Sequence, residues 1–241
     1  MWRLLVTITI LDLLIVLTGP LVLLVDRGQR NPSLDWVVVA TAVVALVVLP
    51  LQCVALWKVL SPQFGEQRRL RRMFRRVDEV IQGGDLSIAF QPVVNARTMQ
   101  VIGVEALARF GGDPLITPTQ WFNDAELVDR TLQLDLLAVR RTLGAAVDLP
   151  PDVYVAINVS PTTLASPALL RELRSTAIRP DRLVLEVTEH ASIADYAPLI
   201  EARMTLRAHG IRLAVDDAGA GYASFRHIVA LAPDIIKIDR G

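Results

Sequence analysis

The chain has one cysteine, Cys53, and three scattered histidines, His190, His209 and His227. That scarcity excludes a disulfide framework and a Cys/His zinc site. Formal net charge is zero, so nothing argues for a nucleic-acid duplex as partner. Aromatic residues make up 5% of the 241 residues, whereas apolar residues make up 52%, more than is usual for a soluble enzyme of this size.

The apolar excess is concentrated near the N-terminus. Residues 4–25 are almost continuously apolar and residues 36–57 carry no charge. Each run is long enough to cross roughly 30 Å of hydrocarbon as a helix, so both are expected to be transmembrane helices. A cleaved signal peptide is the alternative for the first, but only Arg3 precedes it and no small-residue cleavage site precedes Asp26. Asp12 then lies at membrane depth, where a carboxyl is costly unless protonated or paired, and a protonated carboxyl facing the second helix is the simpler account. Arg68, Arg69, Arg71, Arg72, Arg75 and Arg76 follow the second run, against Arg27 and Arg30 between the runs. This bias orients the C-terminal part, and the N-terminus, to the cytoplasm.

The expected organisation is a two-helix anchor over residues 1–60, a basic juxtamembrane helix over 61–84, and a catalytic domain over 85–241. In the middle segment Leu70, Met73, Val77 and Val80 recur at helical spacing before Gly83 and Gly84 stop the helix. Such a basic amphipathic helix can lie on anionic lipid, pair with its twin, or pack on the following domain.

Beyond Asp85, apolar stretches rich in Val, Ile and Leu alternate with amphipathic segments, and each stretch contains or ends at a reactive polar residue. They are LSIAFQPVV with Gln91, VIGVEALARF with Glu105 and Arg109, VYVAINVS with Asn158, LVLEVTE with Glu186 and Glu189, IRLAVDDAG with Asp216 and Asp217, and IIKID with Lys237. Helices are expected from Pro118 to about Ala146, from Pro161 to about Thr176 with Ser160 as N-cap, and from Ala194 to His209. Strands apolar on both sides and alternating with helices form a parallel sheet, doubly wound or closed as a barrel. The first two strands are separated only by a hairpin-length link around ARTM, too short for a crossover.

Polar groups recurring at strand ends suggest one shared site at the C-terminal face of a barrel. Glu105, Asn158, Glu186, Asp216 and Asp217 offer oxygen ligands, the preference of hard ions such as Mg2+ or Mn2+. Adjacent Asp216 and Asp217 can serve different ions, as two-metal phosphodiester hydrolysis requires. Lys237 can hold the water or the phosphate, and Arg109 can grip a phosphate as a fork. Singly, each residue has a structural alternative: a helix N-cap for the acids, or a bridge between a buried glutamate and Arg109.

Together these motifs resemble the EAL domain family of bacterial cyclic-di-GMP phosphodiesterases. The tripeptide stands as Glu105-Ala106-Leu107 with Arg109 after it, preceded by FQPVV and followed in order by NVSP, LEVTE, DDAGAGYASF and IKID. The resemblance implies a modified (β/α)8 TIM-like barrel with an antiparallel first strand, of which about six of eight strands are present. It implies hydrolysis of cyclic-di-GMP to linear pGpG at the inner membrane face of a bacterium, with Mg2+ or Mn2+ as cofactor and Ca2+ inhibitory. Glu105, Asn158, Glu186 and Asp216 would hold one ion and Asp217 the second. Lys237 would position the water, with Asp217 and Glu105 beside it in the catalytic set. Arg109 and Gln91 would contact substrate, while Glu189, Gly219 and Gly221 would support a loop in which Ala218 and Ala220 replace the family's Phe and Thr.

Two GGD sequences, at Gly83 to Asp85 and Gly111 to Asp113, superficially suggest a cyclase turn. Neither continues as Glu-Phe, and both are read as loops. Family members carry two further strand-helix units, with a catalytic glutamate and a substrate-binding glutamine, so the chain as given is expected to hydrolyse little cyclic-di-GMP. The alternative is a non-catalytic receptor or interaction module using the same pocket. Complete members commonly act as dimers, which makes a homodimer the expected assembly.

Overall fold

The computed structural model describes residues 49–112, 115–188, 195–216 and 228–238. The run at 4–25, most of the run at 36–57, and the positions of Glu189, Asp217, Gly219 and Gly221 lie outside them. Among the described residues no helix is long and apolar enough to cross a membrane. The chain divides into two compact units, Met1–Arg69 and Leu70–Gly241.

The first unit contributes to the description only the opening turns of helix α1, which spans Leu49–Gly83. The helix runs through residue 61, where the sequence places the start of the juxtamembrane helix, without a break.

In the second unit, Met73, Val77 and Val80 on the last turns of α1 are buried with Leu86, Trp121, Leu134 and Leu137. Of the three roles open to the basic helix, packing on the following domain accounts for these residues. Gly84, with φ of 68°, ends it as a glycine can without a Cβ clash.

Strands β1 (Leu86–Val94) and β2 (Val101–Phe110) form the expected antiparallel hairpin. In its link Asn95 Oδ1 accepts from the backbone N–H of Arg97 at 2.9 Å and Thr98 at 3.2 Å, an Asx turn that reverses the chain. From β2 onward every pairing is parallel: β3 (Tyr154–Asn158), β4 (Leu183–Thr188), β5 (Arg212–Asp216) and β6 (Ile235–Ile236), in sequential order. Sequential parallel strands with intervening helices after an antiparallel first strand agree with a TIM-like barrel.

Two expected helices are each broken. The segment after Pro118 forms α2 (Pro118–Leu127) and α3 (Thr131–Ala145), because Asp129 turns left-handed with φ of 57° and Arg130 N–H closes on Ala125 O at 2.8 Å. The segment after Pro161 forms α4 (Pro161–Leu164) and α5 (Pro167–Arg174), because Pro167 cannot continue a helix and Ser166 caps a new one by accepting from Ala168 N–H. Helix α6 (Ala197–Ala208) ends before Gly210, as expected.

Period-two alternation gives the sheet two faces. Val104, Val155, Ile157, Leu183, Leu185, Val187, Leu213 and Val215 join the main core with Leu residues of the helices. On the other face a smaller cluster of Ala156, Val184 and Ala214, with Tyr154 and Ile235 against it, forms an inner layer. The next residues on that face, one pleat further along, are Asn158, Glu186, Asp216 and Lys237.

Candidate active site

Why four polar residues lie together follows from register. Asn158 pairs with Glu186, Glu186 with Ala214, and Ala214 with Ile235, so Asp216 and Lys237 sit one pleat beyond their partners on the same face. Glu105 pairs with Ala156 one layer lower, and its longer side chain reaches the group.

The geometry is centred on the Lys237 ammonium. Nζ donates to Asp216 Oδ2 at 2.7 Å, Glu186 Oε2 at 2.8 Å and Glu105 Oε2 at 3.0 Å. Asn158 Nδ2 donates to the other Glu105 oxygen at 3.1 Å. Ligand oxygens of Glu105, Glu186 and Asp216 lie within 4.8 Å of one another, close enough to converge on one ion. All donors are oxygen, three of them carboxylate, which fits Mg2+, Mn2+ or Ca2+ and does not fit a thiolate or imidazole site.

Electrostatics follow burial. Glu186 is 3% exposed, and desolvation pushes its carboxyl up to about 7 despite the lysine beside it. Burial alone would lower the Lys237 ammonium, but hydrogen bonds to Asp216, Glu186 and Glu105 outweigh it and hold the group protonated. Below the cluster, burial and then the charge of Glu186 raise the Tyr154 phenol. Its ring lies beneath the Arg212 guanidinium, 5.1 Å from the centroid, and fills the space that a side chain at position 103 would occupy.

Of the residues expected at the site, the fold brings together Glu105, Asn158, Glu186, Asp216 and Lys237. Gln91 and Arg109 are exposed; Gln91 pairs in register with Glu105, and Arg109 lies two pleats from it along β2. Arg109 donates to Ala108 O at 3.0 Å and makes no bridge to Glu105, which is taken up by Asn158 and Lys237. Asp217, Glu189, Gly219 and Gly221 fall outside the described residues.

Two supporting pairs escaped the sequence reading. Asp135 on α3, 4% exposed, accepts from Ser160 N–H at 3.0 Å and Ser160 Oγ–H at 2.6 Å, fixing the turn that follows Asn158. Arg203 on α6 donates to Asp234 Oδ1 at 2.8 Å, while Asp234 Oδ2 accepts from Leu213 N–H at 2.9 Å. That carboxylate therefore ties a helix and β5 to the chain three residues before Lys237. A lone acid amid apolar residues, as in LQLDLLAV, was the available signal for Asp135; PD before a strand was the signal for Asp234.

Comparison with known proteins adds to this geometry. The family model for the EAL domain matches residues 69–241. The probable cyclic di-GMP phosphodiesterase PdeG of Escherichia coli (strain K12) is 31% identical over 208 residues, covering 81% of this chain and 40% of PdeG. The Bacillus subtilis YkuI protein, solved with an EAL domain in complex with substrate c-di-GMP and calcium, is 28% identical with a TM-score of 0.58, covering 68% of this chain and 43% of YkuI. Klebsiella pneumoniae BlrP1, solved as a manganese/cy-diGMP complex, is 31% identical with a TM-score of 0.55, covering 64% of this chain and 40% of BlrP1. The chain spans 22% to 40% of the length of the first curated relatives it matches.

Proposed function

This chain belongs to the EAL domain family, and from that premise we propose that it acts as a cyclic-di-GMP phosphodiesterase, hydrolysing the dinucleotide to linear pGpG. The observation that carries the reading is the convergence of Glu105, Glu186 and Asp216 within 4.8 Å on one face of three parallel-running strands. Relatives and structural neighbours named for cyclic-di-GMP, and solved with calcium or manganese, support it.

Glu105, Asn158, Glu186 and Asp216 would hold one divalent ion, and Asp217, next in the chain to Asp216, the second. When bound, such ions supply an activated water and offset charge on the phosphate and leaving oxygens. Lys237 keeps a positive charge beside those carboxylates, where it can attract a water or a phosphate oxygen. Arg109, exposed near the end of β2, can fork onto a phosphate, and Gln91 can donate or accept at the substrate edge. Glu189, Gly219 and Gly221 are assigned to the supporting loop by family resemblance.

In the same reading, residues 4–25 and 36–57 anchor the chain in a bacterial inner membrane with the barrel on the cytoplasmic side, and the active form is a homodimer. Mg2+ or Mn2+ supports turnover, and Ca2+ permits binding without it.

The test is a titration of the purified chain with fluorescent cyclic-di-GMP in Ca2+, followed by exchange into Mn2+ or Mg2+ with chromatographic detection of pGpG. Saturable, chelator-sensitive binding and slow metal-dependent conversion are expected, both lost in Glu105→Ala. Binding without conversion would assign the pocket to a receptor. No binding with any of the three ions would remove cyclic-di-GMP from the reading altogether.

A further inference from the structure

The Lys237 ammonium has three protons and no acceptor. Its Nζ donates to Asp216 Oδ2 at 2.7 Å, Glu186 Oε2 at 2.8 Å and Glu105 Oε2 at 3.0 Å, so each proton is already spent on a carboxylate. In that position none is left to hold a water or a phosphate oxygen.

The same three carboxylates are the ones that converge closely enough to take a divalent ion. Such an ion sits about 2.0–2.6 Å from its oxygen ligands, and two cations among one set of oxygens repel each other. The side chains of Glu186 and Asp216 are 4% and 16% exposed, which leaves little solvent to screen that repulsion. The ion and the ammonium therefore exclude one another from the carboxylates.

Lys237 has a way out. It directly follows β6, its side chain is 29% exposed, and its backbone N–H donates to Val215 O at 2.9 Å. The backbone bond holds the main chain in place while the flexible four-carbon stem can swing the ammonium toward solvent.

We propose that Lys237 is an internal counter-cation which a divalent ion displaces from the carboxylates, and that this displacement frees its protons for a phosphate of the substrate. The inference rests on the metal-site part of the proposed function. It makes loading of the cluster and capture of an anion one linked event, in which each tightens the other.

The chain contains two lysines, Lys58 and Lys237, so ε-15N-lysine labelling of the purified full chain gives one signal for each, and Lys58→Met assigns them. Titration with diamagnetic Ca2+ should move the Lys237 signal with the midpoint found by calorimetry and leave the Lys58 signal in place. In Lys237→Met, calorimetry should show Ca2+ and Mg2+ bound about tenfold more tightly, because the ions no longer compete with a charge at hydrogen-bond distance from their ligands. Thermal unfolding in chelator checks that the variant is folded; where it is not, the spectrum of the unaltered chain decides alone. A lysine that only braces the cluster gives the opposite result: its removal loosens the carboxylates, ion affinity falls or stays level, and the proposal fails. It fails too if Ca2+ saturates the unaltered chain without moving the Lys237 signal. If neither protein binds either ion, the metal site is refuted and this proposal with it, whereas loss of cyclic-di-GMP binding alone leaves the displacement standing.

Discussion

Removing the carboxylate charge of Asp234 should harm the fold more than removing its partner Arg203, although the arginine is the more buried of the two. The Arg203 side chain is 6% exposed and that of Asp234 28%. In Asp234→Asn the amide oxygen can still accept from Leu213 N–H, but the guanidinium keeps its burial and loses its counter-charge. Stranding a buried charge in this way costs about 3–5 kcal/mol, and the lower figure fits a pair with one edge near water. Arg203→Met instead deletes the charge, and with it two buried donors, Nε and Nη1, that have no partner among the described residues. That relief offsets much of the lost bond, leaving a cost of about 1–2 kcal/mol. The double variant should resemble Arg203→Met, giving a coupling of about 3 kcal/mol in a double-mutant cycle. For a unit of this size, Asp234→Asn alone lowers the melting temperature by about 6–12 °C. Urea unfolding of the four proteins at unchanged m-value is the assay. A milder effect for Asp234→Asn than for Arg203→Met, or a coupling under about 0.5 kcal/mol, would refute the argument.

Asp135→Ala should cost about 2–3 kcal/mol, because Ser160 N–H loses its acceptor and the cap of α4 loosens; urea unfolding measures it, and Ca2+-dependent dinucleotide binding should weaken through Asn158. Burial raises the Asp135 carboxyl, offset in part by Ser160 and Thr163, so the folded state holds that proton more tightly than the unfolded state. Its contribution to stability is therefore full below about pH 3.9 and falls as pH rises through the folded value. Asp135→Asn should flatten that segment of the stability curve in pH-resolved melting. Mn2+ at a hundredfold excess over its dissociation constant should stabilise the chain by about 2.7 kcal/mol, a gain that Glu186→Ala abolishes in thermal melting. Gly103→Ala places a Cβ into the Tyr154 ring and should cost about 1–3 kcal/mol in unfolding experiments, with most of it recovered in a Tyr154→Ser background.

The parts of the fold legible from sequence were those where one chemical pattern repeats. Each β-strand from β2 to β5 is apolar on both faces, and its polar residue interrupts the pattern at the period-two position facing the inner layer, which is why Glu105, Asn158, Glu186 and Asp216 could be grouped before any coordinates. Helix breaks were harder. LVDRTL contains neither Gly nor Pro, and the left-handed Asp129 arises because α2 packs with Phe110 while α3 packs along the sheet, a tertiary demand that propensity does not register. Pro167 is a visible stop within the helix expected after Pro161. Long-range partners were invisible: Asp135 and Ser160 lie 25 residues apart, and Arg203 and Asp234 lie 31 apart. Nothing local distinguishes an acid that completes a cap from one that faces solvent.

Charge within the acidic cluster explains why these supports are needed. Among the described residues three carboxylates converge within 4.8 Å, and the Lys237 ammonium donates to all three. With all three ionised these carboxylates outnumber that ammonium, and desolvation already raises Glu186 to about 7. Repulsion of that kind favours either protonation or a divalent cation, and it also favours strands that move apart. Hydrogen bonding along the sheet resists the third outcome for β2 to β5, each paired through several residues. The two-residue β6 has far less ladder to resist with, and Lys237, whose ammonium meets the cluster, directly follows it. Asp234, clamped by Arg203 and by Leu213 N–H, compensates for that short ladder. The ionic pair outside the sheet thus helps like charges inside it to stay close.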